Sequence, residues 1–104
     1  MAQVIWTEPA LEELDEIADY ISLDDPAAAK RLVRKVFRRI GQLREFPELG
    51  PCPKELRGTE YRHLVVKPLR IFYRADAKKV FILYVMRGEG ERLFRMGELT
   101  SQEV

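Results

Sequence analysis

Residues 7–43 read TEPALEELDEIADYISLDDPAAAKRLVRKVFRRIGQL, and the first half of the fold follows from them. Leu11, Leu14, Ile17, Ala18 and Ile21 recur at steps of three and four, the spacing of one buried helical face. Thr7 stands before them as a candidate N-cap, with Glu8 and Pro9 in the first turn. An early turn needs no proline N–H, and the helix dipole welcomes an acid there. Asp25-Pro26 repeats the start signal, a capping residue followed by proline at the first helical position. From there Ala29, Leu32, Val33, Val36, Phe37, Ile40 and Leu43 form an unbroken apolar stripe. Lys30, Arg31, Arg34, Lys35, Arg38, Arg39 and Arg44 occupy the other side. Only two or three residues separate the helices, so the spacing predicts an antiparallel hairpin.

Outward from this hairpin the pattern changes. Gln3 to Trp6 is a short apolar-rich strand, and Pro47 to Gly58, with three prolines and two glycines, should be irregular. Tyr61 to Val66, Leu69 to Arg74 and Val80 to Met86 are β-branched, aromatic and of strand length. Lys67-Pro68 divides the first two, and residues 76–79 join the last two as a hairpin. Arg70, Phe72 and Arg74 alternate with Ile71 and Tyr73, whereas Phe81 to Met86 is apolar on both sides of the pleat. The last strand should therefore be interior and covered on both faces. Leu93-Phe94-Arg95-Met96 fits either an edge strand or a helical turn. The expected class is α+β, in the order β-α-α-β-β-β. An N-terminal strand and a two-helix antiparallel hairpin would pack on a small, mostly antiparallel sheet, one domain over residues 1–104.

Composition narrows the function. A chain of 12.2 kDa that is 46% hydrophobic and 34% charged can build one core without staples. Cys52 is the single cysteine and His63 the single histidine, which excludes a disulfide framework and a structural zinc site. No apolar run approaches the ~18 residues of a membrane span, and no signal-peptide pattern opens the chain, so a cytoplasmic protein is expected. The net charge of +1 conceals an asymmetry. Residues 1–25 hold eight acids and no Lys or Arg; residues 26–104 hold all eighteen bases and nine acids. That later segment is suited to an acidic partner, unless the acidic helix neutralises its basic neighbour within the fold.

Candidate chemistry is sparse. No cofactor or metal site is expected: the acids of the first helix have no histidine among them, and no glycine-rich phosphate loop is present. Cys52 lies between two prolines and lacks an evident base. Arginine remains. Arg62, Arg70, Arg74, Arg87, Arg92 and Arg95 lie on or just beyond the three later strands, and planar guanidinium groups pair bidentately with phosphate or carboxylate. Tyr61, Phe72, Tyr73 and Tyr84, interleaved with them, suit the core better than base stacking. Arg70, in the middle of an apolar strand, must reach water or a partner. His63 reads as structural, and Trp6 as core or interface anchor.

Taken in order, several short motifs resemble those of the RelE/ParE superfamily of toxins from bacterial toxin–antitoxin pairs, on the ParE side. They are Val4-Ile5-Trp6-Thr7, Asp19-Tyr20-Ile21, Phe46-Pro47-x-x-Gly50 and Glu55-Leu56-Arg57-Gly58, then Tyr61-Arg62-His63-Leu64, Arg70-Ile71-Phe72-Tyr73-Arg74 and Ile82-Leu83-x-Val85. The resemblance implies a helix hairpin on a small antiparallel sheet, held inactive by a cognate antitoxin in a hetero-oligomeric complex. It also implies two activities. RelE-like members cut messenger RNA on the ribosome with a Lys/Arg cluster and a late tyrosine or histidine; ParE-like members inhibit DNA gyrase. Arg62 and Arg70 match basic positions of the RelE cluster; the third is either Arg87 or lost to Gly88, and His63 is the one candidate proton carrier. Leu64 replaces a lysine, and Phe94, without a proton to give, stands near the late tyrosine. Arg87-Gly88-Glu89-Gly90 also departs from the His-Gly-Arg-Arg-like run of many ParE relatives. The expected function is a gyrase inhibitor that acts by binding. Arg34, Arg38, Arg62, Arg70, Arg74 and Arg87 would meet target or antitoxin. The alternatives are a ribosome-dependent ribonuclease, or an attenuated member that serves as an antitoxin-binding module.

Overall fold

Both helix start signals operate as read. Thr7 has extended backbone and its hydroxyl accepts from the Ala10 N–H at 3.4 Å, opening α1 (Glu8–Ser22). Asp25 caps α2 (Pro26–Gly41) by accepting from the Ala28 N–H at 3.1 Å. The computed structural model describes residues 1–88. The readings placed on Arg92 and on Leu93 to Met96 lie outside the described residues.

The remaining elements are β1 (Gln3–Trp6), β2 (Tyr61–Val66), β3 (Leu69–Ala75) and β4 (Lys79–Arg87). They form one sheet in the order β1-β4-β3-β2, with β1 parallel to β4 and the other pairs antiparallel. The architecture is thus the expected α+β arrangement, and β4 is interior. Ala10 and Leu14 of α1 and Val36 and Ile40 of α2 bury against Leu64, Val66, Leu69, Ile71, Tyr73, Val80, Ile82 and Val85. On the opposite face, Leu56 from a single 3-10 turn (Lys54–Leu56) packs with Tyr61, Phe72, Leu83 and Met86.

A β-bulge explains why β4 is apolar throughout. Phe72 pairs with Tyr84, but Tyr73 pairs with Ile82, so Leu83 is the extra residue. Simple alternation would place Ile82 and Val85 on opposite faces; the bulge puts both under the helices. Thr7 secures this point as well. Its hydroxyl donates to Ile82 O at 2.7 Å and its N–H to the same oxygen at 3.1 Å. One threonine therefore starts α1 and ties it to the bulged strand.

Two parts of the sequence reading need correction. Phe37 and Leu11 belong to the apolar stripes, yet they are 45% and 44% exposed. Phe37 leans on Trp6, ring centroids 5.0 Å apart, beside the core rather than in it. Glu13 lies off the apolar stripe of α1, where a carboxylate is expected in solvent, yet it accepts the Val85 N–H at 2.8 Å. It satisfies a β4 donor beyond the end of β1, where strand pairing stops.

The segment after α2 is irregular, as its prolines and glycines require, but it is firmly held. The buried Tyr73 hydroxyl donates to Pro47 O at 2.9 Å and accepts from the Gly50 N–H at 2.8 Å. Arg62 Nη1 donates to Gly50 O at 2.8 Å and Glu48 O at 3.3 Å. A Cβ on Gly50 would overlap the His63 carbonyl oxygen, so the close approach requires glycine. Tyr73→Phe should cost about 1–3 kcal/mol by leaving the Gly50 N–H and Pro47 carbonyl unsatisfied. Gly50→Ala should cost at least as much, because backbone must move. Urea unfolding of both variants checks this; unchanged midpoints would show that the loop is not held by these contacts.

Candidate functional site

Adjacent residues of a strand point to opposite faces, and this decides where the candidate arginines lie. In β2, Arg62 shares the pleat face of Leu64 and Val66, the side covered by the helices, while His63 faces the other way. In β3, Arg70 and Arg74 share the His63 face with Phe72. Arg87 follows Val85 on the helix side, and its guanidinium lies over the Tyr20 ring of α1 at 5.1 Å. Arg34 and Arg38 are exposed on α2. Of the set Arg62, His63, Arg70 and Arg87, the structure brings together His63 and Arg70 only. The signal for this was present in the sequence, since Arg62 and His63 are neighbours in one strand.

His63 and Arg70 meet a third residue that sequence reasoning did not single out as a site member. Glu55 comes from the 3-10 turn and forms a bidentate pair with Arg70, at 3.2 Å to Nη1 and 3.3 Å to Nη2. Arg70 Nε donates to His63 Nδ1 at 3.3 Å, and its guanidinium lies 5.0 Å from the Phe72 ring centroid. The imidazole also stacks on Phe72, centroids 5.9 Å apart. Arg70 thus finds the partner that its place in an apolar strand demanded. Arg74 sits 4.7 Å above the Phe81 ring on the same face.

This network fixes protonation. With Nδ1 accepting from Arg70, the neutral His63 ring carries its proton on Nε2. Burial, and then the Arg70 charge, hold the imidazole below its ordinary range, while Glu55 pulls more weakly the other way. Burial pushes the Glu55 carboxyl up. The Arg70 hydrogen bonds, its own backbone N–H and the Arg70 and His63 charges outweigh that, leaving it below the carboxylate range. A neutral His63 clamped by a guanidinium is a hydrogen-bond acceptor already in use, poorly placed to carry protons for catalysis.

The charge asymmetry of the sequence is resolved on the surface. No ion pair joins an acid of α1 to a base of α2 among the described residues. Lys30, Arg31, Arg34, Lys35 and Arg38 are all exposed. Between the helices runs a groove of about 400 Å³, lined by Ala18, Ala29 and Val33, with Lys30 and Arg34 along its α2 side and Asp19 along its α1 side. No helix of the described residues is long and apolar enough to cross a membrane, and no group of three potential metal ligands occurs among them.

Comparison with known proteins agrees with this architecture. The family described as the ParE toxin of the type II toxin-antitoxin system parDE matches residues 4–91. The Toxin RelE2 of Caulobacter vibrioides is 40% identical over 78 residues, covering 73% of this chain and 84% of that protein. The Toxin ParE3 of the same organism is 28% identical over 104 residues, covering 96% and 100%. Among solved structures, a chain of the "Chromosomal ParDE TA system from P. aeruginosa" superimposes with a TM-score of 0.70 at 26% identity, covering 86% of this chain and 98% of that one.

Protonation of His63 and Glu55 should both weaken the fold. The unfolded histidine takes a proton near pH 6.5 and the folded one only below that, so stability is full above pH 6.5 and falls as pH drops through the folded value. The Glu55 contribution is full above about pH 4.5 and is lost below it. Urea unfolding at pH 7.5 and 5.5 should show a drop for the wild type and a smaller one for His63→Gln. Equal drops would mean that His63 is not the group responsible.

Proposed function

Since the chain belongs to the ParE toxin family of type II toxin–antitoxin systems, we propose that it acts by binding and that its target is DNA gyrase. The observation that carries this reading is the dispersal of the candidate catalytic groups. Arg62 is bonded to the carbonyls of residues 48 and 50, Arg70 is paired with Glu55, and Arg87, though near Arg70 along the sheet, rests on Tyr20 on the opposite, helix-covered face. Cleaving RNA by in-line attack needs a base, an acid and cations around one phosphate. Here the His63 face carries one imidazole and two guanidinium groups, with His63 bonded to Arg70 and Arg74 set over the Phe81 ring.

The antitoxin docks on the helical hairpin. The interhelical groove supplies apolar contact, and the α2 cations call for an acidic, amphipathic segment. Charge would speed the encounter and apolar burial would hold the pair. A second reading, ribosome-dependent RNA cleavage, draws on the His63–Arg70 contact and on the likeness to Toxin RelE2.

Purified toxin should block supercoiling by gyrase or stabilise cleaved DNA, and its induction should leave transcripts without codon-positioned breaks. Normal supercoiling at large toxin excess, together with such breaks, would replace the first reading by the second. For the antitoxin, Arg34→Glu with Arg38→Glu should lower affinity more at 50 mM than at 500 mM salt. A loss independent of salt would refute electrostatic docking on α2.

A further inference from the structure

A second concavity, about twice the volume of the interhelical groove, lies away from it. It encloses about 850 Å³ between the loop after α2 and the turn joining β3 to β4. Phe46, Leu49 and Ala77 line it together with Glu48, Glu60 and Asp76. Its place follows from the strand directions. β1 and β4 run parallel, Ala2 N–H bonds Arg44 O beside the start of both, and Arg87 meets Tyr20 at the other end. The cleft therefore opens at the end of the sheet opposite the α1–α2 turn.

Three features mark it as a docking surface. First, Phe46 and Leu49 are 60% and 43% exposed, two large apolar side chains from one loop at the edge of one cleft. Second, that loop is rigid: the Tyr73 hydroxyl, Arg62 and the close approach at Gly50 hold it, so the apolar pair is presented without ordering cost. Third, the charge is inverted relative to α2. Glu48 and Glu60 have no ion-pair partner among the described residues, Asp76 accepts the Lys78 and Lys79 N–H groups within its turn, and Arg62, the one cation of the lining, is directed to backbone carbonyls.

From these features we infer that the cleft receives a protein segment bearing a Lys or Arg beside an apolar anchor, and that this segment belongs to the toxin's target rather than to the antitoxin. An acidic antitoxin segment suited to α2 would be repelled by the Glu48 and Glu60 carboxylates, whereas a basic segment is drawn to them. The anchor would fill the space beside Phe46 and Leu49, in the manner of a buried hot-spot side chain. The inference rests on the binding reading above for the nature of the target, but the cleft's role does not depend on that target being gyrase.

The test uses the full chain in two exposed double variants, Phe46→Ser/Leu49→Ser and Glu48→Lys/Glu60→Lys, with purified gyrase, purified cognate antitoxin and induction in cells. Both variants should need at least about tenfold more protein for half-inhibition of supercoiling and should lose growth arrest. Affinity for antitoxin should stay within about twofold, which also shows that the variants fold. If the wild type leaves gyrase untouched yet arrests growth, the gyrase reading falls and the cleft is judged by growth arrest alone. Variants that arrest growth like the wild type overturn the proposal. So does an equal loss of antitoxin affinity, which would assign the cleft to the antitoxin. A wild type that neither inhibits gyrase nor arrests growth has no target to dock, and that result overturns it too.

Discussion

A phenol buried among Leu69, Ile71 and Val80 has to find two hydrogen-bond partners, and Tyr73 finds them in a loop more than twenty residues upstream. Burial pushes the phenol above its ordinary range, so it remains an O–H donor throughout the neutral region. Its demands shape the loop. Pro47 must present its carbonyl and residue 50 its N–H, and residue 50 must lack a Cβ because the β2 backbone passes too close. Arg62, on the same pleat face, closes the loop from the other side. The Phe46-Pro47-x-x-Gly50 motif, the Arg62 of β2 and the Tyr73 of β3 are thus one mechanical unit. Removing any of them frees the segment that walls the acidic cleft.

The same logic governs the opposite face of the sheet. No helix of the described residues covers it, yet Phe72 is fully buried there. The 3-10 turn brings Leu56 over the sheet, and Glu55 next to it pins Arg70, whose guanidinium caps Phe72 while His63 stacks beside it. A pair of this kind at a partly wet surface contributes little by Coulomb attraction alone. What it accomplishes is packing: together with Leu56 and the His63 ring, the planar guanidinium excludes water from the Phe72 ring. Residues that resemble an anion-binding cluster in the sequence act here as a polar lid on a second, smaller core.

The helices were legible because their signals are local. A cap, a proline at the right offset and a stripe of period 3.6 all fall within a few residues, and the bounds of α1 and α2 follow from them. The interior place of β4 was legible from its two apolar sides, but the bulge at Leu83 was not, since it depends on pairing with a strand ten residues away. The site was less accessible for the same reason. Glu55 lies in a segment whose prolines and glycines announce only irregularity, and nothing local says that its carboxylate returns to Arg70. The bulk charge asymmetry was evident. Its outcome was not, because pairing of α1 with α2 depends on which helical faces meet, and the faces that meet are apolar.

That outcome bears on how so small a protein tells partners apart. A net charge near zero predicts weak, unselective electrostatics, but charge segregated on the surface behaves differently. Lys30 and Arg34, on the interhelical groove, precede the end of α2 by seven to eleven residues, about 10–16 Å of helix. Surface charges are screened over about 8 Å at physiological salt. The field of Lys30 and Arg34 at the groove and the anionic field at the cleft beyond the loop are therefore largely separate, although Arg38 and Arg39 in the last turn of α2 stand between them. Each attracts one sign and rejects the other, and rejection is what confers selectivity when apolar contacts alone would accept many guests. The acidic helix α1 belongs to this scheme. Glu13 apart, it leaves its carboxylates exposed instead of on α2, and so balances the total charge for solubility without erasing the cationic face of α2.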